Sequence, residues 1–118
     1  MAERASANPL NDSIRAEATR RFNGEVVLWR NNVLKAMVQG RNGKKRMMQA
    51  GMEGQADLSG ILPDGRRLEI ETKTTDSMKP NQIAFRRMIM SRGGVYIIAR
   101  DLDTCMADLA AEVKRGEI

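Results

Sequence analysis

Apolar positions recur along this chain with two periods, and the changes between them mark its elements. Ile14, Ala18 and Phe22 fall four residues apart, which predicts a helix from about Asn11 to Asn23, closed by Gly24. Residues 1–10 read as a polar, flexible tail, and 11–118 as one domain. Glu25–Arg30 (EVVLWR) reads as a buried strand. Asn31–Ala50 is ambiguous: VLKAMV suits a strand or a helical turn, and QGRNGKKRM reads as a basic loop punctuated by glycine. ADLSGIL and RRLEIETK flank Pro63-Asp64-Gly65, the pattern of a β-hairpin whose turn places Gly65 in the left-handed region. Lys79-Pro80 opens a second helix that runs to about Arg92 and ends at Gly93-Gly94. Val95–Ala99 is a short apolar strand. Leu102, Met106, Leu109 and Val113 share one face of a last helix. The predicted class is α/β, a mixed sheet of about four strands flanked by helices.

Composition narrows the chemistry. The chain has 118 residues, 42% hydrophobic and 30% charged, a globular rather than a disordered balance. Twenty lysines and arginines against fifteen acids give a net charge of +5. That excess favours a polyanionic partner, nucleic acid before membrane. One cysteine, Cys105, excludes an internal disulfide and fits a reducing cytoplasm. No apolar run reaches membrane-spanning length, and the first residues lack the apolar core of a signal peptide. With no histidine in the chain, histidine triads and histidine zinc sites are excluded, so catalysis must use carboxylates and lysine. An aromatic content of 3% argues against a platform that stacks single-stranded bases. The methionines, Met47, Met48 and Met52 among them, suit plastic core or interface packing. Cys105 falls on the last helix as an inert packing residue.

The hairpin brings candidate residues together. Pairing Leu62 with Arg66 across the turn sets Ile61 opposite Arg67, Ser59 opposite Glu69 and Asp57 opposite Glu71. Strand alternation sends Leu68 and Ile70 to one face and Glu69, Glu71 and Lys73 to the other. The β-carbons of Asp57 and Glu71 then lie roughly 5 Å apart. Two carboxylates that close repel unless a cation lies between them, and a hard divalent ion with oxygen ligands fits. Asp57, Glu71 and the backbone carbonyl of Thr72 would hold it. Lys73 could orient a water and stabilise developing negative charge. Against this stands the ordinary reading of Glu-Ile-Glu-Thr-Lys as a half-exposed strand with solvated charges. Pro63-Asp64 followed by Glu71 and Lys73 also spells a PD-ExK pattern. Asp64 belongs to the turn, however, and its carboxylate should lie some 20 Å from that of Glu71 at about 3.3 Å per residue.

The run from Gly51 through Gly54 and Asp57 to Gly60, then Gly65 to Glu71 and Lys73, Gln82 to Phe85, and Gly93-Gly94-Val95-Tyr96, resembles the VRR-NUC (virus-type replication-repair nuclease) family. Trp29-Arg30-Asn31-Asn32 is similar to that family too, and the likeness covers roughly Asp12 to Ala99. The resemblance implies a restriction-endonuclease-like PD-(D/E)XK core that hydrolyses DNA phosphodiester bonds with Mg²⁺ or Mn²⁺. It implies a homodimer acting on branched DNA such as Holliday junctions, in the cytoplasm of a bacterial or phage-infected cell. It also implies an acidic residue on the first helix, for which Asp12 and Glu17 are the candidates. Asp is shorter than the family's usual Glu, and Asp12 could instead cap the helix. Gln82 matches the family's glutamine, placed to contact the cation's water or a phosphate. Arg30, Lys44, Lys45, Arg46, Lys79, Arg86 and Arg87 are suited to holding the DNA backbone. The alternatives from other classes are a non-catalytic DNA-binding module that retains the nuclease fold, and a basic adaptor docking on replication proteins.

Overall fold

The computed structural model describes residues 8–31, 34–39, 43, 45–50, 52, 54–73 and 77–117. Helix α1 spans Pro9–Arg21, two residues earlier than the apolar spacing suggests. Asn8 starts it: its side-chain oxygen accepts from the Leu10 N–H at 3.1 Å, and Pro9 takes the first helical position, where no N–H is needed. Strand β1 (Val27–Arg30) follows.

Strands β2 (Leu34–Gln39) and β3 (Lys45–Ala50) then pair antiparallel, Leu34 with Ala50 and Gln39 with Lys45. The stretch holding Lys45 and Arg46 is therefore strand rather than the expected loop. Its connection includes Gly43 at φ +73°, a conformation glycine adopts without strain. Lys44 and Gly51 lie outside the described residues.

The rest follows the predicted order: β4 (Leu58–Ile61), β5 (Arg67–Thr72), α2 (Pro80–Ser91), β6 (Val95–Ala99) and α3 (Leu102–Arg115). Strands β1, β4, β5 and β6 form a mixed sheet in that order, antiparallel except for the parallel β5–β6 pair. The observed pairs Leu58–Ile70, Ser59–Glu69, Gly60–Leu68 and Ile61–Arg67 reproduce the predicted hairpin register. Gly65 sits at φ +93° in the turn, and Leu62 N–H donates to the Arg66 carbonyl at 2.9 Å. Asp64 is a turn residue, its carboxylate accepting from the Arg66 N–H at 3.1 Å and from Arg66 Nε at 2.6 Å. Arg66 continues to the Glu112 carboxylate and carbonyl at the end of α3, tying the turn to that helix.

One face of the sheet is apolar. Leu58, Leu68, Ile70, Ile97 and Ala99 pack there with Ile14 and Ala18 of α1 and with Cys105, Met106 and Leu109 of α3, all buried. Burial pushes the Cys105 thiol up to about 12, so it is a packing residue and not a nucleophile. The opposite face carries Ser59, Glu69, Glu71 and Tyr96, and α2 lies over its β6 side. Three helices thus flank a four-stranded mixed sheet, and among the described residues no helix is long and apolar enough to cross a membrane.

Candidate active site

The polar face can be followed row by row from the strand registers. Trp29, Ser59, Glu69 and Tyr96 form one row across the four strands. Two residues towards the start of β4 lies the next, in which Asp57 and Glu71 are neighbours. There the Asp57 N–H donates to Glu71 Oε1 at 3.1 Å. Asp57 Oδ2 accepts from the Thr72 N–H at 2.9 Å and from the Thr72 hydroxyl at 2.7 Å. Across this contact the charge of Asp57 acts on the Glu71 carboxyl.

This arrangement is electrostatically strained. Glu71 is only 3% exposed, and its carboxyl is pushed up to about 8. Burial is the largest cause, followed by the charge of Asp57 and the hydrogen bond between the two acids. The Lys73 ammonium and the Asp57 N–H oppose the shift. Lys73 thus acts electrostatically on Glu71, while its backbone N–H is fixed to the Ala99 carbonyl at 3.0 Å. From α2, Gln82 donates Nε2 to Glu71 Oε2 at 2.9 Å and accepts the Lys79 N–H on its other end at 2.9 Å. The helix start therefore fixes which way the amide points.

Gly54 allows this closure. It lies at φ +78°, and a β-carbon there would meet the Asn81 carbonyl oxygen at 2.3 Å. The loop that delivers Asp57 thereby rests directly on the first turn of α2, which gives the second glycine of the Gly51-x-x-Gly54-x-x-Asp57 pattern a physical reason. Gly54→Ala is expected to destabilise the fold by roughly 2–4 kcal/mol through backbone strain and overpacking, measured by thermal unfolding.

Of the predicted site residues, Asp57, Glu71, Thr72, Lys73 and Gln82 come together. Thr72 does so through its N–H and hydroxyl, which orient Asp57. Asp12 is exposed in the first turn of α1, and Glu17 pairs with Arg20 at 2.5 Å and with Arg21 at 3.7 Å. Among the described residues no group of three or more acids, histidines or cysteines is placed to hold a metal. It is Asn8 that carries the start of α1 to the site, donating Nδ2 to the Thr72 hydroxyl at 2.6 Å. Arg30 ends β1 half-buried; Lys79 and Arg87 are exposed. Arg86 stacks over the Tyr96 ring, 5.8 Å from its centroid.

Three features of the site are not legible in the sequence alone. Glu69, expected among the solvated charges of its strand, is completely buried, held by the Ser59 hydroxyl and by Arg67 at 3.0 Å. Burial pushes its carboxyl up as well, against those two partners. Arg67 in turn lies over the half-exposed Trp29. Tyr96 carries no chemical signal in the sequence beyond its place after Gly93-Gly94. Its hydroxyl, like Arg86 Nε, is buried without a hydrogen-bond partner among the described residues. Burial, then the charges of Glu71 and Glu69, push that hydroxyl up. The third is Asn31, whose N–H donates to the Asp57 carbonyl at 2.9 Å. Its amide donates to the Ala56 carbonyl at 3.0 Å and to the Ser59 hydroxyl at 2.6 Å. In the sequence Asn31 only continues the pattern begun by Trp29-Arg30, with nothing to mark this task.

The buried Glu71 carboxyl beside the half-buried Asp57 carboxylate makes an oxygen donor set short of positive charge. A hard divalent cation that keeps several of its own waters needs only one or two such carboxylates, so the pair fits that class of ion. Comparison with family models, with curated proteins and with solved structures finds no match.

Proposed function

We propose that this protein is a divalent-cation-dependent DNA nuclease with a restriction-endonuclease-like PD-(D/E)XK core, similar to the VRR-NUC family. The observation that carries this reading is the contact between Asp57, just ahead of β4, and Glu71 of β5, with Lys73 acting on Glu71 electrostatically. Asp57 and Glu71 would hold Mg²⁺ or Mn²⁺, with the Thr72 carbonyl as a candidate third ligand. The cation would supply Lewis-acid polarisation of the phosphodiester and a lowered pKa for water.

The chain's own residues have separable tasks. Thr72 fixes the Asp57 carboxylate through two donors, so only one of its oxygens remains free to face Glu71. Gln82 orients Glu71 from α2. The Lys73 ammonium orients the attacking water and stabilises the extra negative charge on the non-bridging phosphoryl oxygens. As the water oxygen adds, it loses a proton to solvent, the P–O ester bond breaks, and the leaving oxygen takes a proton from solvent. A homodimer would give a 118-residue chain the surface to engage a branched duplex.

The test is to incubate pure protein with linear, nicked, flapped and four-way DNA, with Mg²⁺, Mn²⁺ or EDTA. Cleavage is expected only with a divalent cation and is expected to vanish in Asp57→Ala and Glu71→Ala. Robust cleavage by Asp57→Ala in EDTA overturns the reading.

A further inference from the structure

The β2–β3 ribbon is a second feature of the molecule, separate from the carboxylate pair. It forms its own two-stranded sheet and, among the described residues, has no more than marginal contact with any other element. Two-stranded ribbons of this kind are marginal by themselves in water. Its sequence is uniform in charge. Residues 26–52 contain six lysines and arginines (Arg30, Lys35, Arg41, Lys44, Lys45 and Arg46) and no acid. Those six exceed the net +5 of the whole chain, so the remaining residues together carry a net −1. Arg30 ends β1, and the other five fall between Asn31 and Met52, so the ribbon segment alone carries a charge equal to the net +5 of the whole chain.

The ribbon is also rooted at the site. The chain leaves the four-stranded sheet at Arg30–Asn31 and returns at Ala56–Asp57. Asn31 ties the two ends together through the Asp57 and Ala56 carbonyls, at 2.9 and 3.0 Å. The ribbon is thus rooted at Asp57, with Lys45 and Arg46 towards its far end, where Gln39 pairs with Lys45.

We propose that the β2–β3 ribbon is an arm, rooted at the carboxylate site, that reaches out from it and grips duplex DNA. The proposal rests on the nuclease reading for what happens to that DNA, but not for the grip itself. Each strand has six residues and spans about 20 Å at roughly 3.3 Å per residue. A two-stranded ribbon fits the major groove of B-form DNA, about 12 Å wide. The charge selects the occupant: two copies of so cationic an arm repel one another, whereas each phosphate contact releases counterions and is favourable.

The experiment measures affinity for a 20-base-pair duplex and for the matching single strand by fluorescence anisotropy, in EDTA, over a range of salt. The variants are Lys35→Gln/Lys45→Gln/Arg46→Gln and the charge-preserving Lys35→Arg/Lys45→Arg/Arg46→Lys. The neutralised protein is expected to bind duplex at least tenfold more weakly. Its log–log salt slope should be flatter by about two to three units, and its loss on single strand smaller. The charge-preserving protein should bind like wild type. Unchanged duplex affinity and slope in the neutralised protein overturns the arm. So does an equal loss on single strand, or a change of oligomeric state by light scattering with DNA affinity kept. If neutralisation abolishes binding while no cation supports cleavage by wild type, the nuclease reading falls and the arm stands. If wild type cleaves and the neutralised protein binds as well as wild type, the arm falls and the nuclease reading stands.

Discussion

Asparagine at position 57 is expected to give a protein that cleaves no DNA yet, stripped of divalent cations, unfolds at a higher temperature than wild type. The Asn amide oxygen can take the place of Oδ2 and keep both donors from Thr72. Its NH₂ group then faces Glu71 as a donor, where wild type has a second acid. The effect should depend on pH with a definite sign. Glu71 has a folded-state value of about 8 against 4.5 for the free side chain. The proton it retains therefore adds stability that is complete below about pH 4.5 and is lost as pH rises through about 8. At pH 9 Glu71 is ionised against its acidic neighbour, and Asp57→Asn should melt higher by roughly 5–10 °C, the shift that about 1–2 kcal/mol gives a domain of this size. At pH 6, with Glu71 protonated, the difference should shrink. Mg²⁺ or Mn²⁺ should reverse the order, stabilising wild type by mass action and leaving Asp57→Asn unmoved. A variant that melts below wild type at pH 9 in EDTA would show that the pair is not strained. Should this prediction hold, fold stability has been exchanged at this site for a donor set that only a cation completes.

Asp57 and Glu71 are legible as a pair in the sequence because of the turn between them. Pro63-Asp64-Gly65 admits few geometries, and once Leu62 pairs with Arg66 the period of two fixes every later partner. The same rule puts Glu69 on its correct face, but its burial is not legible. Burial depends on Arg67 and on Trp29 of a distant strand, and alternation carries no information about what covers a face. The first helix shows the other limit. Apolar spacing locates its interior through Ile14 and Ala18, whereas its start is set by the local cap of Asn8, which carries no hydrophobic signal. The contact from Asn8 to Thr72 spans 64 positions and is a product of packing α1 against the sheet. The ribbon is hidden for a related reason. Its apolar runs are too short to separate strand from helical turn by period, and its pairing partner is as ambiguous as itself. Gln82 is suggested by family likeness. Its task becomes physical only through Gly54, whose missing β-carbon lets the Asp57 loop rest on α2.

Lys73→Ala is expected to lower turnover by roughly 10²-fold or more while changing DNA affinity far less. Lys73 directly follows β5, two positions after Glu71, and its ammonium acts on the Glu71 carboxyl. The backbone there is pinned to β6 through the Ala99 carbonyl, which limits how far the loss of the side chain can disturb the site. Its ammonium holds down the Glu71 value, so removing it should raise that value further and move the onset of cation binding to higher pH. Two separate readouts follow. Single-turnover cleavage at saturating DNA and saturating cation reports the chemical step, and should fall by the full factor even where cation binding is complete. Cation titration across pH reports the Glu71 effect, and its midpoint should shift upward. Lys73→Arg keeps the charge and should restore the titration midpoint. It should recover turnover only in part, because a planar guanidinium cannot place a point charge where an ammonium does. A Lys73→Ala protein with weakened DNA binding but near-normal turnover would reduce the lysine to a phosphate contact. The chemistry would then have to rest on Asp57, Glu71 and Gln82 without it.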